Sequence, residues 1–356
     1  MRSVRQLLIC ALWGMLAVTG SVLTAADNSE TGSTAPESLT ETSNESYLLR
    51  FKFEPGQEVR YEVKYEMAHT SRKGTTSETA YNTSTTMKHY RVDKIHENEN
   101  AELVSYIDGI KMKVRFNDGE PLAYDSDADG VVLPQFRRIA NSVGVPLART
   151  IFAPTGNVVS LTKLHDNDRP ASEQKPVEAA SAEQTDKSEA SADEGEIKTV
   201  SADKAPVKAE KEGDEDDLNA VANYLVRFPE EPVKIDEIWE QTYSMPVTVD
   251  RNLQQQVRLQ REYRLRSVED GIAHLTFRTS ILSVVNNPMI SSQLIQNTPS
   301  GTIDFDIERG LIVKRTAKLD NTEFGFSGDN SSMRAVSTTE ETLVGVEISP
   351  AAESVE

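Results

Sequence analysis

The amino-acid sequence predicts a mainly β protein: an antiparallel meander curled into a sandwich or an incomplete barrel, with one main α-helix and a long disordered insertion. Three observations predict this class. Apolar and polar residues alternate with a period of two along several segments, which puts the apolar side chains of each strand on one face. Turn residues separate these segments at short intervals. Two acidic stretches, 27–46 and 166–217, hold too few large apolar residues to build a core.

The first β-rich half covers residues 47–165. Its strongest signal runs from Val59 to Met67, where apolar residues alternate with Arg, Glu and Lys. This pattern is typical of a strand whose sheet has one face in water. An alternating extended segment at 49–53 precedes this strand. Further strands are predicted at 78–95, 101–107 and 110–116.

One helix interrupts this half, at about 133–143. Leu133, Phe136 and Ile139 recur at helical spacing, with Pro134 in the first turn and Gly144 at the end. After the helix, the residues Pro-Thr-Gly-Asn at 154–157 predict a hairpin turn.

The second β-rich half covers residues 218–345, and we expect it to belong to the same domain. A hairpin is predicted around Arg309 and Gly310, and a flexible tail at 346–356. Its strands are expected near 239–249, 263–265, 272–277, 281–285, 301–306, 311–313 and 337–346.

The chain begins with the features of a secretory signal. Arg2 and Arg5 precede an apolar run, and small residues suited to signal peptidase end at Ala26. We therefore predict cleavage of residues 1–26 and a periplasmic or extracellular location, with an uncleaved anchor as the alternative. After cleavage the protein is not expected to be an integral membrane protein.

Charge and cysteine content exclude several functions. The formal charge is −19, but residues 27–46 and 166–217, predicted to be a disordered tether and a disordered insertion, carry most of it. Acidity of this size disfavours nucleic acid as a partner. The chain has one cysteine, Cys10, inside the predicted signal, which excludes thiol catalysis and cysteine–metal clusters from the mature protein.

Four local patterns resemble an uncharacterised family of exported, β-rich proteins frequent in planctomycete bacteria, a domain of unknown function. They are Phe-Lys-Phe-Glu-Pro-Gly-Gln at 51–57, Tyr-Asp-Ser at 124–126, the 154–158 hairpin, and Trp239 with the 305–311 hairpin. At 236–239 the chain has Asp-Glu-Ile-Trp, where the family tends to have Gly before the acidic residue. The resemblance implies the β architecture and export, and it brings no assigned reaction.

The residues 125–130, Asp-Ser-Asp-Ala-Asp-Gly, copy the first six positions of a calcium loop. Asp125, Asp127 and Asp129 would supply the oxygen ligands. The twelfth position is Phe136, however, where a calcium loop needs a bidentate Glu. The alternative is an acidic turn that caps the following helix. No other cofactor is predicted.

A second candidate site is a pocket on a concave sheet, lined by aromatic residues and a methionine. Tyrosines can line an apolar pocket and still offer hydroxyl groups. The alternative is an ordinary tyrosine-rich core. The candidate lining residues are Phe51, Phe53, Tyr61, Tyr65 and Met67.

No catalytic residues are predicted, because the common hydrolase and nucleotide-binding signatures are missing. The sequence therefore favours a non-enzymatic protein of the cell envelope that binds a lipid, glycan or protein partner on a curved sheet. A structural scaffold is the first alternative. A hydrolase with a non-sequential acidic site is the second. Separately, Asp304 and Asp306 lie two apart on one predicted strand and could pair their carboxylates for acid–base chemistry, with a water-exposed strand face as the alternative.

Overall fold

The computed structural model describes residues 45–164, 226–250 and 253–348. The predicted signal, almost all of the predicted tether, the predicted insertion and most of the predicted tail lie outside these residues. The described chain forms mainly antiparallel strands, as the sequence predicts. Neither of its two α-helices has the length and apolar character needed to span a bilayer.

Twelve strands form one open antiparallel sheet, and two short strands pair separately as β1 with β8. The order across the large sheet is β7-β6-β4-β3-β2-β14-β13-β12-β11-β10-β9, with the short β5 also paired to β4. The strands are β1 Ser46–Tyr47, β2 Gln57–Lys73, β3 Thr76–Ile95, β4 Ala101–Phe116, β5 Leu122–Asp125, β6 Pro146–Phe152, β7 Val158–Lys163, β8 Val233–Lys234, β9 Ile238–Asp250, β10 Leu253–Glu269, β11 Ile272–Ile281, β12 Ser300–Asp306, β13 Leu311–Phe324 and β14 Ser331–Ile348.

The two β-rich halves meet where β2 pairs with β14. This pairing runs from Gln57 opposite Ile348 to Lys73 opposite Ser331, so the halves share one continuous sheet. Odd-numbered residues of β2 and β14 point to the same face up to a bulge at Leu343. That face carries the apolar half of the alternation that the sequence shows.

The sheet curls around this apolar face, which is therefore concave. Side chains from β3, β4 and β6 at one end share a single core cluster with side chains from β10, β11 and β12 near the other end. A flat sheet would hold these strands far apart. The open but curled arrangement corresponds to the incomplete barrel among the predicted alternatives.

Two chain segments, 47–53 and 226–233, fill the space between the curled ends, and we call them the plug. The amide of Phe51 donates to the carbonyl of Pro154, and the amide of Phe228 donates to the carbonyl of Thr155. Apart from β1 and β8 at its ends, the plug is not a strand of the large sheet, and its backbone amides donate to carbonyl groups in turns. The alternating segment at 49–53 is thus extended and buried, but it is not a strand of that sheet.

The predicted helix at about 133–143 is present as a shorter segment. It consists of a 3-10 turn, Pro134–Phe136, followed by one turn of α-helix, α1, Arg137–Ala140. Phe136 is buried and packs this segment against the concave face of β4. A second helix, α2, Pro288–Leu294, which the sequence interpretation missed, packs against β9 and β10.

Candidate functional site

A cleft opens to solvent on the concave face, beside the plug. Its enclosed part has room for about one water molecule. The strand register explains why the cleft is open. Gly301 of β12 lies between Ala317 of β13 and Phe277 of β11, and a larger side chain at position 301 would fill this part of the concave face. Apolar walls come from Val226, Tyr263, Phe277, Ile303 and Ala317.

A glycine is required at position 301 for a second reason. A side chain there would overlap the carbonyl oxygen of Thr316 on the neighbouring strand. The close approach of β12 to β13 therefore depends on the missing Cβ, and the floor of the cleft stays open.

Three polar residues also line the cleft: Arg261 from β10, Arg315 from β13 and Thr339 from β14. All three are buried. They occupy inward positions of their strands, where the alternation otherwise places apolar side chains. The hydroxyl of Thr339 has no hydrogen-bond partner among the described residues.

The Arg315 guanidinium belongs to a buried ion network. Its Nη2 lies 2.5 Å from Oε2 of Glu341, and Nζ of Lys88 lies 2.5 Å from Oε1 of the same carboxylate. Lys88 also donates to the Tyr90 hydroxyl at 3.1 Å and lies over the ring of Tyr61. One carboxylate thus binds two cations.

The Arg261 side chain contacts a hydroxyl group and two aromatic rings. Its Nε donates to the Thr279 hydroxyl at 2.9 Å. Its guanidinium carbon lies 5.4 Å from the ring centre of Phe277 and 5.8 Å from that of Tyr243, both suitable for cation–π attraction. Burial raises the pKa of the Tyr243 hydroxyl, so this ring stays neutral at physiological pH.

The predicted pocket residues separate into two groups. Tyr61, Tyr65 and Met67 share the concave face of β2, and the Tyr65 hydroxyl donates to the Met67 sulfur at 2.9 Å. Burial raises the pKa of Tyr65 to about 12, and it raises the pKa of Tyr61 further. Phe51 and Phe53 lie in the plug and stack in an aromatic cluster. None of the five lines the cleft beside Arg261 and Arg315.

The acidic turn at 125–129 surrounds a lysine. Nζ of Lys111 lies 3.1 Å from a carboxylate oxygen of Asp125 and 3.2 Å from one of Asp127, while Asp129 has no such contact assigned. A backbone hydrogen bond from Asp127 and, after it, the interaction with Lys111 lower the pKa of Asp125. In the described chain, no three His, Cys, Asp or Glu side chains are grouped to hold a metal ion. Calcium binding stays a prediction.

The alternative interpretation of this turn, as a helix cap, is wrong. The 3-10 turn begins after Leu133, and no side chain caps it. Ser126 instead accepts a hydrogen bond from the amide of Ile110, which ties the turn to β4. The turn is therefore held to β4 by Ser126 and by the contacts of Asp125 and Asp127 with Lys111.

Asp304 and Asp306 both lie on the convex face of β12. Asp304 contacts the His274 ring at 2.8 Å, and Asp306 pairs with Arg309 at 2.7 Å. The two carboxylates are therefore engaged separately. Of the residues that the structure describes around the concave cleft, none is a carboxylate.

Sequence reasoning missed the charged residues of the concave face. The available signal was a charged residue at an inward position: Arg261 lies between Leu259 and Tyr263 in the apolar half of the alternation. The same holds for Glu341 on β14. A charge in an apolar face indicates either a buried ion pair or a ligand.

Fold and site together define a class: an open, curled antiparallel β-sheet with a cleft in its concave face. No protein-family model and no curated protein matches the chain. A solved structure described as "Lipid-protein interactions in lipovitellin" is similar over 85% of this chain at 11% identity, with a TM-score of 0.45. The chain spans only 26% of that lipovitellin chain.

A second similar structure is a β-barrel-like protein of a domain of unknown function from Brucella abortus. It covers 86% of this chain and 100% of its own, at 8% identity and a TM-score of 0.18. The resemblance to a family of exported planctomycete proteins remains a prediction, because no family model matches.

Proposed function

We propose that the protein is an exported, non-enzymatic protein of the cell envelope that binds a small amphiphilic molecule, such as an envelope lipid, in its concave face. The observation that carries the proposal is the cleft itself. It combines apolar walls with two buried guanidinium groups and a hydroxyl, that of Thr339, which has no partner in the part of the chain that the structure describes. Binding sites for small molecules are typically apolar concavities with a few placed polar groups.

Export is supported by the charged start, the apolar run and the small residues that end at Ala26. The test is production of the full chain, followed by cell fractionation and N-terminal sequencing. We expect the mature chain to start at Asp27 in the periplasm or the medium. An intact N-terminus on cytoplasmic protein would contradict the proposal.

Ligand binding is tested by native mass spectrometry and solvent extraction of the purified full chain. We expect a co-purified amphiphile. Ala317→Phe should abolish it, because the new ring fills the cleft. The matched control is Thr316→Phe, whose side chain points to the convex face of the same strand and should leave the ligand bound.

Two results would contradict ligand binding. One is purified protein without any co-purified molecule that also fails to bind lipids extracted from cell envelopes. The other is equal retention of the molecule by both phenylalanine variants, since that would place the ligand away from the cleft.

A further inference from the structure

We propose that an exposed apolar patch at one end of the sheet docks the protein on a lipid bilayer by inserting into the interfacial layer. We call this patch the apolar rim, and its members are Ile281, Leu282, Val284, Met289 and Phe324, all of them exposed. The inference rests on the proposed function for its link to the cleft. It adds the surface with which the protein would exchange its amphiphile.

The rim gathers apolar side chains that the fold leaves in water. Val284 is 81% exposed, Phe324 71% and Met289 54%. Phe324 ends β13, and the next residue, Gly325, lies beside Pro288 at the start of α2. Because β13 begins beside the plug, the rim lies at the opposite end of the sheet. Contiguous exposed apolar patches mark sites of interaction, whereas apolar residues scattered singly do not.

The segment that carries most of the rim has no charge. No residue from Thr279 to Ile303 is Asp, Glu, Lys or Arg, although these four types make up 27% of the chain. A charged side chain is costly to transfer into an apolar environment. The formal charge of −19 also gives the chain no overall attraction to anionic headgroups. The chemistry of the rim therefore fits the apolar boundary layer of a bilayer.

Helix α2 presents its part of the rim from a fixed position. Ile290 and Leu294 are buried against β9 and β10. The side chain of Gln293 accepts from the amide of Thr248 at 2.8 Å and donates to its carbonyl at 2.7 Å, so α2 is bonded to the outer backbone of β9. Met289 is therefore exposed on an anchored helix, and its exposure does not come from loose packing.

The same uncharged segment reaches the cleft. Pro299 and Ile303 line the cleft, and the amide of Thr279 donates to the carbonyl of Pro299 at 2.6 Å. The segment thus extends from the cleft wall to the rim and back. A hydrocarbon chain that moves between the bilayer and the cleft would meet no charged side chain on it.

A second copy of the chain is the other partner to consider for the rim. A stable protein interface typically buries about 800 Å² and about 20–30 residues on each side. The rim has five side chains, which is too few for such an interface. Interfacial membrane binding scales with the buried apolar area, so a patch of this size is suited to reversible docking.

Vesicle flotation of the purified full chain with phosphatidylcholine vesicles tests the docking. We expect the protein to float with the vesicles and to stay bound at high salt, because an apolar contact is not screened. Val284→Asp combined with Phe324→Asp should weaken binding at least tenfold. The matched control is Val159→Asp combined with Ile348→Asp, which adds the same charge at exposed apolar positions outside the rim and should leave binding unchanged.

A tryptophan reporter locates the contact. The chain has two tryptophans, Trp13 and Trp239, so Trp13→Phe leaves Trp239 as the single native emitter. In this background, Phe324→Trp should add emission that brominated phosphatidylcholine vesicles quench. The emission added by Ile348→Trp, away from the rim, should not be quenched. Equal quenching of both reporters would contradict docking through the rim.

Two further results would overturn the inference. One is binding that requires anionic vesicles and disappears at high salt, since charge would then drive the docking. The other is a rim variant that changes the oligomeric state in analytical ultracentrifugation and leaves vesicle binding intact, since a second copy would then cover the rim.

The docking and the proposed function fail in different ways. Wild type that melts cooperatively and does not bind vesicles would overturn the docking, while a co-purified amphiphile would still support ligand binding in the cleft. Vesicle binding that depends on the rim, in protein without any co-purified amphiphile, would support the docking and count against the proposed ligand.

Discussion

Among single residues, Glu341 controls the charge balance of the concave face. It binds Arg315 and Lys88 at once, and its side chain is 5% exposed. Removal of one partner from a buried ion pair leaves uncompensated charge, which typically costs more than the pair contributes.

We therefore expect Glu341→Gln to lower the free energy of unfolding by about 3 kcal/mol. The neighbouring Glu340 faces the convex side, where it pairs with Lys314 at 40% exposure. Glu340→Gln should cost less than about 1 kcal/mol. Urea denaturation of both variants measures the difference, and equal losses would show that the buried network is not stabilising.

His69 gives the fold a predictable response to acid. It lies on the concave face of β2 between Ala335 and Ala80, and burial lowers its pKa. The unfolded chain therefore takes up a proton at higher pH than the folded chain does. The stability contributed by neutral His69 is complete above about pH 6.5 and is lost as the pH falls toward the lowered pKa.

His69→Gln should accordingly reduce the loss of stability between pH 7.5 and pH 5, measured by urea denaturation at both values. His274→Gln is the control, because that ring lies on the convex face beside Asp304 and its removal leaves His69 in place. A pH dependence that is identical in wild type and His69→Gln would contradict the assignment.

Residue patterns predicted which β2 side chains share a face, but they did not predict the cleft. Tyr61, Tyr65 and Met67 were placed together correctly because period two is a local property of a strand. Arg261 and Arg315 lie on strands far apart in sequence, so only the register of β10 to β13 brings them to one cleft. Register depends on pairing between strands, which local alternation does not encode.

Among the elements, the plug and α2 are two that the residue pattern did not predict correctly. The 49–53 segment alternates like a strand, but its amides bond to Pro154 and Gly310 in loops. Helix α2 has seven residues, too few for a visible apolar period. Its usable signal was Asn287 followed by Pro288, a helix N-cap and a first-turn proline.

This cap leads to a prediction for α2. The Asn287 side chain accepts a hydrogen bond from the amide of Met289 at 2.9 Å. Asn287→Ala should lower the free energy of unfolding by about 1 kcal/mol and increase hydrogen exchange at Ile290 and Leu294. Asn286→Ala, one residue earlier and exposed, should do neither, and equal effects of the two changes would show that the cap does not hold α2.

At the scale of the whole molecule, the pairing of β2 with β14 connects the two halves. The strands at the centre of the sheet come from opposite ends of the described chain, so neither half can complete the concave face alone. The core cluster beneath the plug also mixes side chains of both halves. The sequence showed two β-rich halves, and their union follows from long-range pairing.

The described fold should therefore unfold as one cooperative unit. Val59 is buried in β2 of the first half, whereas Trp239 reports on the second half. In the Trp13→Phe background, Val59→Ala should lower stability by about 2 kcal/mol and shift the transitions seen by Trp239 fluorescence and by far-UV circular dichroism equally. Lys64→Ala, on the convex face of the same strand, should shift neither by more than about 0.5 kcal/mol. A Trp239 transition that stays in place while the circular dichroism transition moves would show that the two halves unfold independently.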